Sequence, residues 1–240
     1  MNKNLSWMNK LNFVNTQNLV NEMKVDIEKR SEGPDAVTVA FDAEWSAYET
    51  GPPASLLQIS LQDVSYIVDV DVLPRDVVRP FVEMIFSHHK IHKLGFHYEE
   101  DLYKLLKADS LKGCSALNRP ENISCILRLV IALIDESVKR ENAVEILKEF
   151  EVNNIGSPRN EIDRRRSHTR SLSSLCESLL GLPLDKREQL FVWTRRPLRA
   201  LQLRYAAMDA FCLRLFHDRC KKWAEKLGMT IQEITSISKG

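Results

Sequence analysis

The sequence has almost no net charge, no closely spaced cysteine pair and no hydrophobic run long enough to cross a membrane. Its 34 basic and 33 acidic side chains leave a formal charge of +1, so a nucleic-acid surface would have to be a local basic patch. The five cysteines contain no C-x-x-C motif, which argues against a zinc site or a disulfide framework and favours reduced thiols inside a cell. The most apolar stretch, "CILRLVIALI", is short and contains Arg128, so it predicts a buried helix.

Short strand-like runs alternate with helical patterns along the chain, which indicates an α/β fold with a mixed sheet. A strand over 13–16 and a helix over about 17–30, capped by Thr16, come first. Three strand-like runs follow, and the tight connection between the last two predicts an antiparallel meander: "AVTVAFD", "SLLQISLQ" and "SYIVDV". The later pattern predicts these elements: a helix over 77–87, a strand over 91–95, and helices over 98–106, 123–138, 143–150, 172–181 and 197–227.

The stretch "VAFDAEW" places two acids at the end of an apolar, strand-like run. Residues two apart on a strand project to the same side, so Asp42 and Glu44 are expected to point together. Their repulsion is costly unless a cation lies between them, and oxygen ligands suit Mg²⁺ or Mn²⁺. Taken alone, such a pair is more often a solvated strand end, so the metal interpretation needs support from elsewhere in the chain.

A second candidate lies in "LRYAAMDAFCLRL". Tyr205 and Asp209 are four residues apart, which on a helix places them on one face. Ala206 and Ala207 between them are small enough to let the helix approach a sheet closely. Without further information the pattern also fits an amphipathic helix with a polar edge.

The third candidate is the start of a predicted helix in "KLGFHYEEDLYKLL". Glu99, Glu100 and Asp101 lie in its first turn, where acids complement the helix dipole. That role accounts for Glu99 and Glu100, and it leaves Asp101 available as a metal ligand.

In this order, the three segments resemble the motifs of the DEDD family of 3′-5′ exonucleases, tyrosine subtype, which includes ribonuclease D and the Werner-type exonuclease domains. The matching stretches are "FDAEW", "KLGFHYEEDLYKL" and "YAAMDA", and Arg204 occupies the place where the histidine subtype carries its histidine. The string "LPLDK…W…RRPL…Q…YAAMDA" is most similar to the Nibbler/Mutator-type branch, which trims small-RNA ends. His97, where many relatives have asparagine, and "REQLFV" depart from the family pattern.

The resemblance implies a ribonuclease-H-like α/β fold, a mixed β-sheet flanked by helices, in a single 3′-5′ exonuclease domain over 1–240. The core would span about 13–220, and 135–170 would be a flexible insertion. The resemblance further implies two divalent cations, Mg²⁺ or Mn²⁺, about 3.5–4 Å apart. Their implied ligands are Asp42, Glu44, Asp101 and Asp209. Tyr205 would position the attacking water, since a phenol with a pKa near 10 is a poor base unaided.

The same resemblance implies where the substrate binds. Leu57 and Gln58 would lie near the terminal nucleotide, and Phe96 and His97 would line the same groove. Trp193 is expected in the core rather than as a platform for a base.

Two groups of basic residues are candidates for the path of the phosphates, because Lys and Arg neutralise phosphates without reading sequence. One group lies in a predicted loop, where simple solvation explains it equally well: Arg164, Arg165, Arg166 and Arg170. The other accompanies the third motif: Lys186, Arg195, Arg196 and Arg199.

The sequence therefore predicts a metal-dependent 3′-5′ exonuclease that removes nucleotides from single-stranded nucleic acid by phosphodiester hydrolysis, with RNA favoured and small-RNA trimming as its role. The alternatives are a DNA-directed 3′-5′ exonuclease and a nucleic-acid- or protein-binding module that keeps the fold. The expected partners are single-stranded RNA and proteins of a small-RNA pathway, with no membrane and no nucleotide cofactor. The expected location is intracellular, with the cytoplasm favoured over the nucleus.

Overall fold

Six strands form one mixed sheet in the computed structural model, which describes residues 10–34, 36–47, 51–150, 171–181 and 184–239. The strands are β1 (Leu11–Val14), β2 (Val37–Glu44), β3 (Leu56–Ser60), β4 (Ser65–Asp69), β5 (Ile91–Gly95) and β6 (Ile123–Cys125). Their order across the sheet is β1-β4-β3-β2-β5-β6. β2, β3 and β4 pair antiparallel, whereas β1 runs parallel to β4 and β5 parallel to β2. These pairings confirm the predicted mixed sheet and meander.

The described helices follow the predicted order. They are α1 (Gln17–Ser31), α2 (Arg75–Ser87), α3 (Glu99–Lys107), α4 (Ser115–Asn118), α5 (Ile126–Val138), α6 (Ala143–Glu149), α7 (Leu172–Leu180), α8 (Ala200–Lys226) and α9 (Ile231–Ile237). The predicted cap of α1 is present, since the Leu19 N–H donates to Thr16 Oγ1 at 3.4 Å.

The chain divides into two compact units. The first comprises residues 1–123 and 187–214, and the second comprises 124–186 and 215–240. The first unit contains β1 to β5 and α1 to α4, together with the first half of α8. The single domain predicted over 1–240 stays a prediction.

Helices cover both faces of the sheet in the first unit. On one face, strand residues such as Phe41 and Leu57 pack with apolar side chains of α1 and α2. On the other face, Leu56 packs with Ala206 of α8, which confirms that small residues let this helix approach the sheet. Because Leu56 pairs with Glu44 across β2 and β3, α8 passes over the end of β2.

A tight turn connects β5 to α3. A Cβ on Gly95 would lie 2.5 Å from the Cβ of Tyr98 and 3.0 Å from the ring of Phe41, so glycine is required there. His97 has φ 51°, in the left-handed region, where His is found more often than most non-glycine residues. The turn leads β5 directly into α3, whose first turn contains Asp101.

Among the described residues, one strand and two helices were not predicted from the sequence: β6, the short α4 and α9. Residues 123–125 pair as β6, although the apolar run predicts helix through them, because short buried strands and helices have similar composition. α9 is also missed, although it begins with a capping box. The Glu233 N–H donates to Thr230 Oγ1 at 3.2 Å, and the Thr230 N–H donates to Glu233 Oε2 at 2.7 Å. The T-x-x-E pattern is visible in the sequence and would have predicted this helix.

The second unit has an aromatic core of its own. Trp223 stacks on Phe150 with 5.0 Å between ring centroids, and its Nε1 donates to Ser137 Oγ at 2.9 Å. Of the predicted insertion over 135–170, the part up to 150 completes α5 and forms α6. The remainder, including the four arginines of the predicted basic loop, lies outside the described residues.

All five cysteines are buried and carry free thiols. Burial raises the pKa of the Cys220 thiol to about 12, which keeps it protonated and unreactive. Within the described ranges, no helix is both long enough and apolar enough to span a bilayer.

Candidate active site

The end of β2 carries two acids beyond the point where its neighbour β5 stops pairing. The pairing of β2 with β5 ends at Ala40, whereas the pairing with β3 continues to Glu44. Because side chains alternate along a strand, Asp42 and Glu44 project to the face covered by α8. Ala43 between them points into the core on the opposite face.

α8 brings a third carboxylate to this pair. One oxygen each from Asp42, Glu44 and Asp209 lie within 4.8 Å of one another. Glu44 and Asp209 are each 7% exposed, and Asp42 is partly exposed, so water reaches the group from only part of its surroundings. The three side chains are therefore close enough to bind one ion together.

Asp101 approaches the same group from α3. It is 5% exposed, and its carboxylate lies near the backbone N–H of Ala43. The first turn of α3 is therefore close to the β2 edge that β5 leaves open. The charge of Asp101 raises the pKa of Asp42 and of Glu44, so the four acids interact as one electrostatic cluster.

The cluster is costly to ionise. Loss of hydration raises the pKa of Asp42, Glu44 and Asp101 well above the ordinary carboxyl range, and repulsion between neighbouring acids raises it further. A cation bound by carboxylate oxygens relieves both penalties. The all-oxygen donor set fits a hard divalent cation of the Mg²⁺ or Mn²⁺ type.

Tyr205 lies one helical turn before Asp209, and the two side chains interact electrostatically. Burial raises the pKa of the Tyr205 phenol well above its usual range, and the charges of Asp209 and Glu44 raise it further. A phenol that stays protonated is a hydrogen-bond donor and acceptor rather than a general base. Its ring packs beside Trp193, with 6.0 Å between ring centroids.

The segment before α8 is fixed to the end of the sheet. Trp193 is fully buried, as predicted for a core residue, and its N–H donates to Ser46 Oγ at 3.1 Å. Arg196 donates from Nε and Nη2 to the two carboxylate oxygens of Asp69, each at 2.6 Å. Asp69 is 1% exposed, so this ion pair is largely buried. The pair occupies Nε and Nη2 of Arg196, and the predicted phosphate contact of this arginine stays a prediction.

Leu57 and Gln58 lie on opposite faces of β3. Leu57 is fully buried in the core on the face away from the acids, and its predicted place beside the terminal nucleotide stays a prediction. Gln58 lies on the acid-bearing face, directly opposite Asp42 in the strand register. It is also fully buried, so its amide is not open to a nucleotide.

The other predicted substrate residues are at the surface. Phe96 and His97 form an edge-to-face ring pair in the turn before α3, with 4.9 Å between centroids. His97, Lys186 and Arg195 are exposed, and Phe96 is partly buried. Their contacts with a substrate stay predictions.

The segment 187–199 is basic as well as apolar at its surface. It contains four arginines and a single acid, although the whole chain has a net charge of only +1. Arg199 lies over the ring of Phe191, 3.9 Å from its centroid, and pairs with Glu188. Since Trp193 contacts Ser46 just after β2, this basic segment passes beside the acid cluster.

Comparison with known proteins identifies relatives of the chain. A family model described as 3′-5′ exonuclease matches residues 12–222. The exonuclease mut-7 homolog of Aedes aegypti is 30% identical over 199 residues, and that of Homo sapiens is 31% identical over 190 residues. These matches cover 82% and 75% of this chain but only 25% and 19% of the relatives, so the chain spans a quarter or less of their length.

Solved structures share the fold. The crystal structure of the Aedes aegypti Nibbler EXO domain aligns over 100% of both chains, with a TM-score of 0.71 and 24% identity. Trypanosoma brucei RNase D in a GMP complex aligns with 96% of this chain and 62% of its own, with a TM-score of 0.59 and 20% identity. These alignments confirm the predicted ribonuclease-H-like α/β fold.

The family match covers every element that contributes to the acid cluster, from β2 through α3 to the first half of α8. It confirms the resemblance drawn from the three motifs, and proteins named mut-7 and Nibbler are among those similar to the chain. The chain belongs to the 3′-5′ exonuclease family.

Proposed function

We propose that the protein shortens single-stranded RNA from its 3′ end with two divalent cations, Mg²⁺ or Mn²⁺, held by Asp42, Glu44, Asp101 and Asp209. The observation that carries this proposal is the convergence of three carboxylates within 4.8 Å. RNA is favoured over DNA because the similar proteins include RNase D and the mut-7 and Nibbler group. A DNA-directed exonuclease remains the second candidate.

The acids and Tyr205 have different roles in the proposed reaction. Divalent cations, when bound, would lower the pKa of a water molecule and neutralise charge on the scissile phosphate and the leaving oxygen. The carboxylates of Asp42 and Glu44 project from a strand that is paired with β3. Their positions should therefore change little when substrate binds. Tyr205 keeps its hydroxyl hydrogen, so the phenol would position the attacking water by hydrogen bonding rather than deprotonate it.

A 5′-labelled single-stranded RNA incubated with the protein and Mn²⁺ or Mg²⁺ is expected to give a ladder of 3′-shortened products. The Glu44→Gln protein should shorten it roughly 10²–10⁴ times more slowly, since metal catalysis contributes several kcal/mol. A DNA oligomer of the same sequence, tested in parallel, measures the preference for RNA. Faster shortening of the DNA would replace RNA by DNA as the substrate.

A binding module gives a different result in the same assay. Such a protein would retain the labelled RNA in a filter-binding measurement and leave its length unchanged with either metal. Equal shortening by the parent and by Glu44→Gln would mean that a contaminating nuclease, rather than this site, cleaves the RNA.

Arg195→Ala is expected to weaken RNA binding and to reduce its salt dependence. Arg195 is exposed and lies two residues after Trp193. The N–H of Trp193 donates to Ser46, just after the end of β2. Loss of one phosphate contact should lower the slope of log K against log salt by about 0.7. Fluorescence anisotropy at several salt concentrations measures the slope.

Lys29→Ala is the matched control, because Lys29 is an exposed cation on α1, which packs on the opposite face of the sheet. Its salt slope should equal that of the parent. An unchanged slope in Arg195→Ala would remove Arg195 from the substrate path.

Two further proposals concern the cell. We propose an intracellular location, with the cytoplasm favoured, which the five free buried thiols support. We also propose protein partners in a small-RNA pathway, on the basis of the mut-7 and Nibbler relatives.

A further inference from the structure

Gln58 is a buried amide without a hydrogen-bond partner. It lies in the middle of β3 and is 0% exposed. Neither its Nε2 nor its Oε1 has a partner among the described residues. Most buried polar groups are paired, and an unpaired one costs stability, so this amide calls for an explanation.

The strand register places Gln58 beside the acid cluster. Gln58 is directly opposite Asp42 in the antiparallel pair of β2 and β3. Residues opposite each other in such a pair point to the same face, with Cβ atoms about 4.5–5.5 Å apart. The amide of Gln58 is therefore within reach of the carboxylate of Asp42.

Substrate does not account for this amide. On the same face, the flanking strand residues Leu56 and Ile67 pack with Ala206 and Ala207 of α8. Gln58 lies in this packed layer and has no exposed surface through which a nucleotide could touch it. Its candidate partner is accordingly a group of the protein, and Asp42 is its cross-strand neighbour.

We propose that Gln58 is a positioning residue for Asp42, and that its Nε2 donates a hydrogen bond to the Asp42 carboxylate when that carboxylate holds a cation. Carboxylates that bind metal ions are in turn held by hydrogen bonds from neighbouring groups, which fix their orientation. A carboxylate has acceptor positions on both oxygens, so one can face the cation while another receives the amide. The inference rests on the proposed metal binding.

The test compares metal binding in the parent and in Gln58→Met, which keeps an unbranched side chain of similar length without the amide. The melting temperature is measured against Mn²⁺ concentration. The metal-free variant should melt at or above the parent, because an unpaired buried amide has been removed. The Mn²⁺ concentration that gives half of the thermal shift should rise about tenfold or more.

Two further variants separate positioning from general disturbance. Ser60→Ala changes the same face of β3 two residues away, opposite Ala40, and should keep the parental Mn²⁺ midpoint. In an Asp42→Asn background, adding Gln58→Met should change the remaining Mn²⁺ response no further. Gln58→Leu repeats the comparison with a different shape, in case the methionine packs poorly.

The outcomes are distinct. A Gln58→Met protein with the parental Mn²⁺ midpoint overturns the positioning role while leaving the proposed exonuclease intact. A weaker midpoint that is equally weakened in the Asp42→Asn background also overturns it, because the effect would not pass through Asp42. A parent whose melting temperature responds to neither Mn²⁺ nor Mg²⁺ overturns metal binding itself, and this inference with it.

Discussion

Asp42→Asn is expected to abolish detectable RNA shortening and, at the same time, to raise the melting temperature of the metal-free protein. The two effects have one cause. Asp42 lies among Glu44, Asp101 and Asp209, and loss of hydration and mutual repulsion raise the pKa of its carboxyl. A neutral amide of the same shape removes one charge from the cluster, but it also removes a ligand that divalent cations require.

The stability gain should be roughly 1–3 kcal/mol, since each unit by which burial and repulsion raise the pKa of a carboxyl corresponds to about 1.4 kcal/mol. For a chain of this size that corresponds to about 2–4 °C per kcal/mol in the melting temperature. Thermal unfolding with a chelator, and then with Mn²⁺, measures both effects. The parent should gain stability on adding Mn²⁺, and the Asp42→Asn protein should gain much less.

Glu22→Gln is the control for loss of one negative charge, because Glu22 is exposed on α1. It should change stability by no more than about 0.5 kcal/mol and leave RNA shortening unaffected. If Asp42→Asn instead destabilised the metal-free protein, the acids would not be repelling one another, and the electrostatic basis for the metal site would be wrong.

The same cluster gives the metal-free parent a defined pH dependence. The folded-state pKa of Asp42, Glu44 and Asp101 lies above the ordinary carboxyl value, so the folded protein binds more protons than the unfolded chain. The contribution of these three acids to stability is therefore greatest at and below about pH 4 and falls as the pH rises through the raised values. The difference between parent and Asp42→Asn should be smallest near pH 4 and grow with pH.

The sequence predicted the acid cluster because each part has a local signature. Asp42 and Glu44 share one face by strand alternation, and Tyr205 and Asp209 share one by helical spacing. The family resemblance then related these motifs to Asp101. Spacing alone could not show that these acids lie close together in the fold. The D-x-E pair by itself also fits a solvated strand end.

Other features depend on which face of the sheet a residue occupies, or on contacts between distant segments. Leu57 and Gln58 are neighbours in sequence, but one is in the core and the other lies opposite Asp42. Their predicted nucleotide contacts stay predictions, and a linear motif does not state which of the two side chains points to the site. The partner of Arg196 is 127 residues away, and no local pattern indicates that this arginine pairs with Asp69.

Arg196→Ala is expected to destabilise the protein by about 3–5 kcal/mol, the usual cost of leaving one partner of a buried ion pair without the other. Asp69 is 1% exposed and accepts hydrogen bonds from Nε and Nη2 of Arg196. At about 2–4 °C per kcal/mol, the melting temperature should fall by roughly 6–20 °C. Urea unfolding of the parent and the variant measures the free energy directly.

The adjacent Arg195 supplies a matched control, because it is exposed whereas Arg196 is paired. Arg195→Ala should change stability by no more than about 0.5 kcal/mol, although it weakens RNA binding. The double change Asp69→Leu with Arg196→Met should recover most of the lost stability, since apolar residues of similar volume can replace a buried ion pair. Equal stability of Arg195→Ala and Arg196→Ala would show that the Asp69 pair does not fix this segment. The segment also holds Trp193 beside Tyr205, so a loosened Arg196→Ala protein should shorten RNA more slowly even where it remains folded.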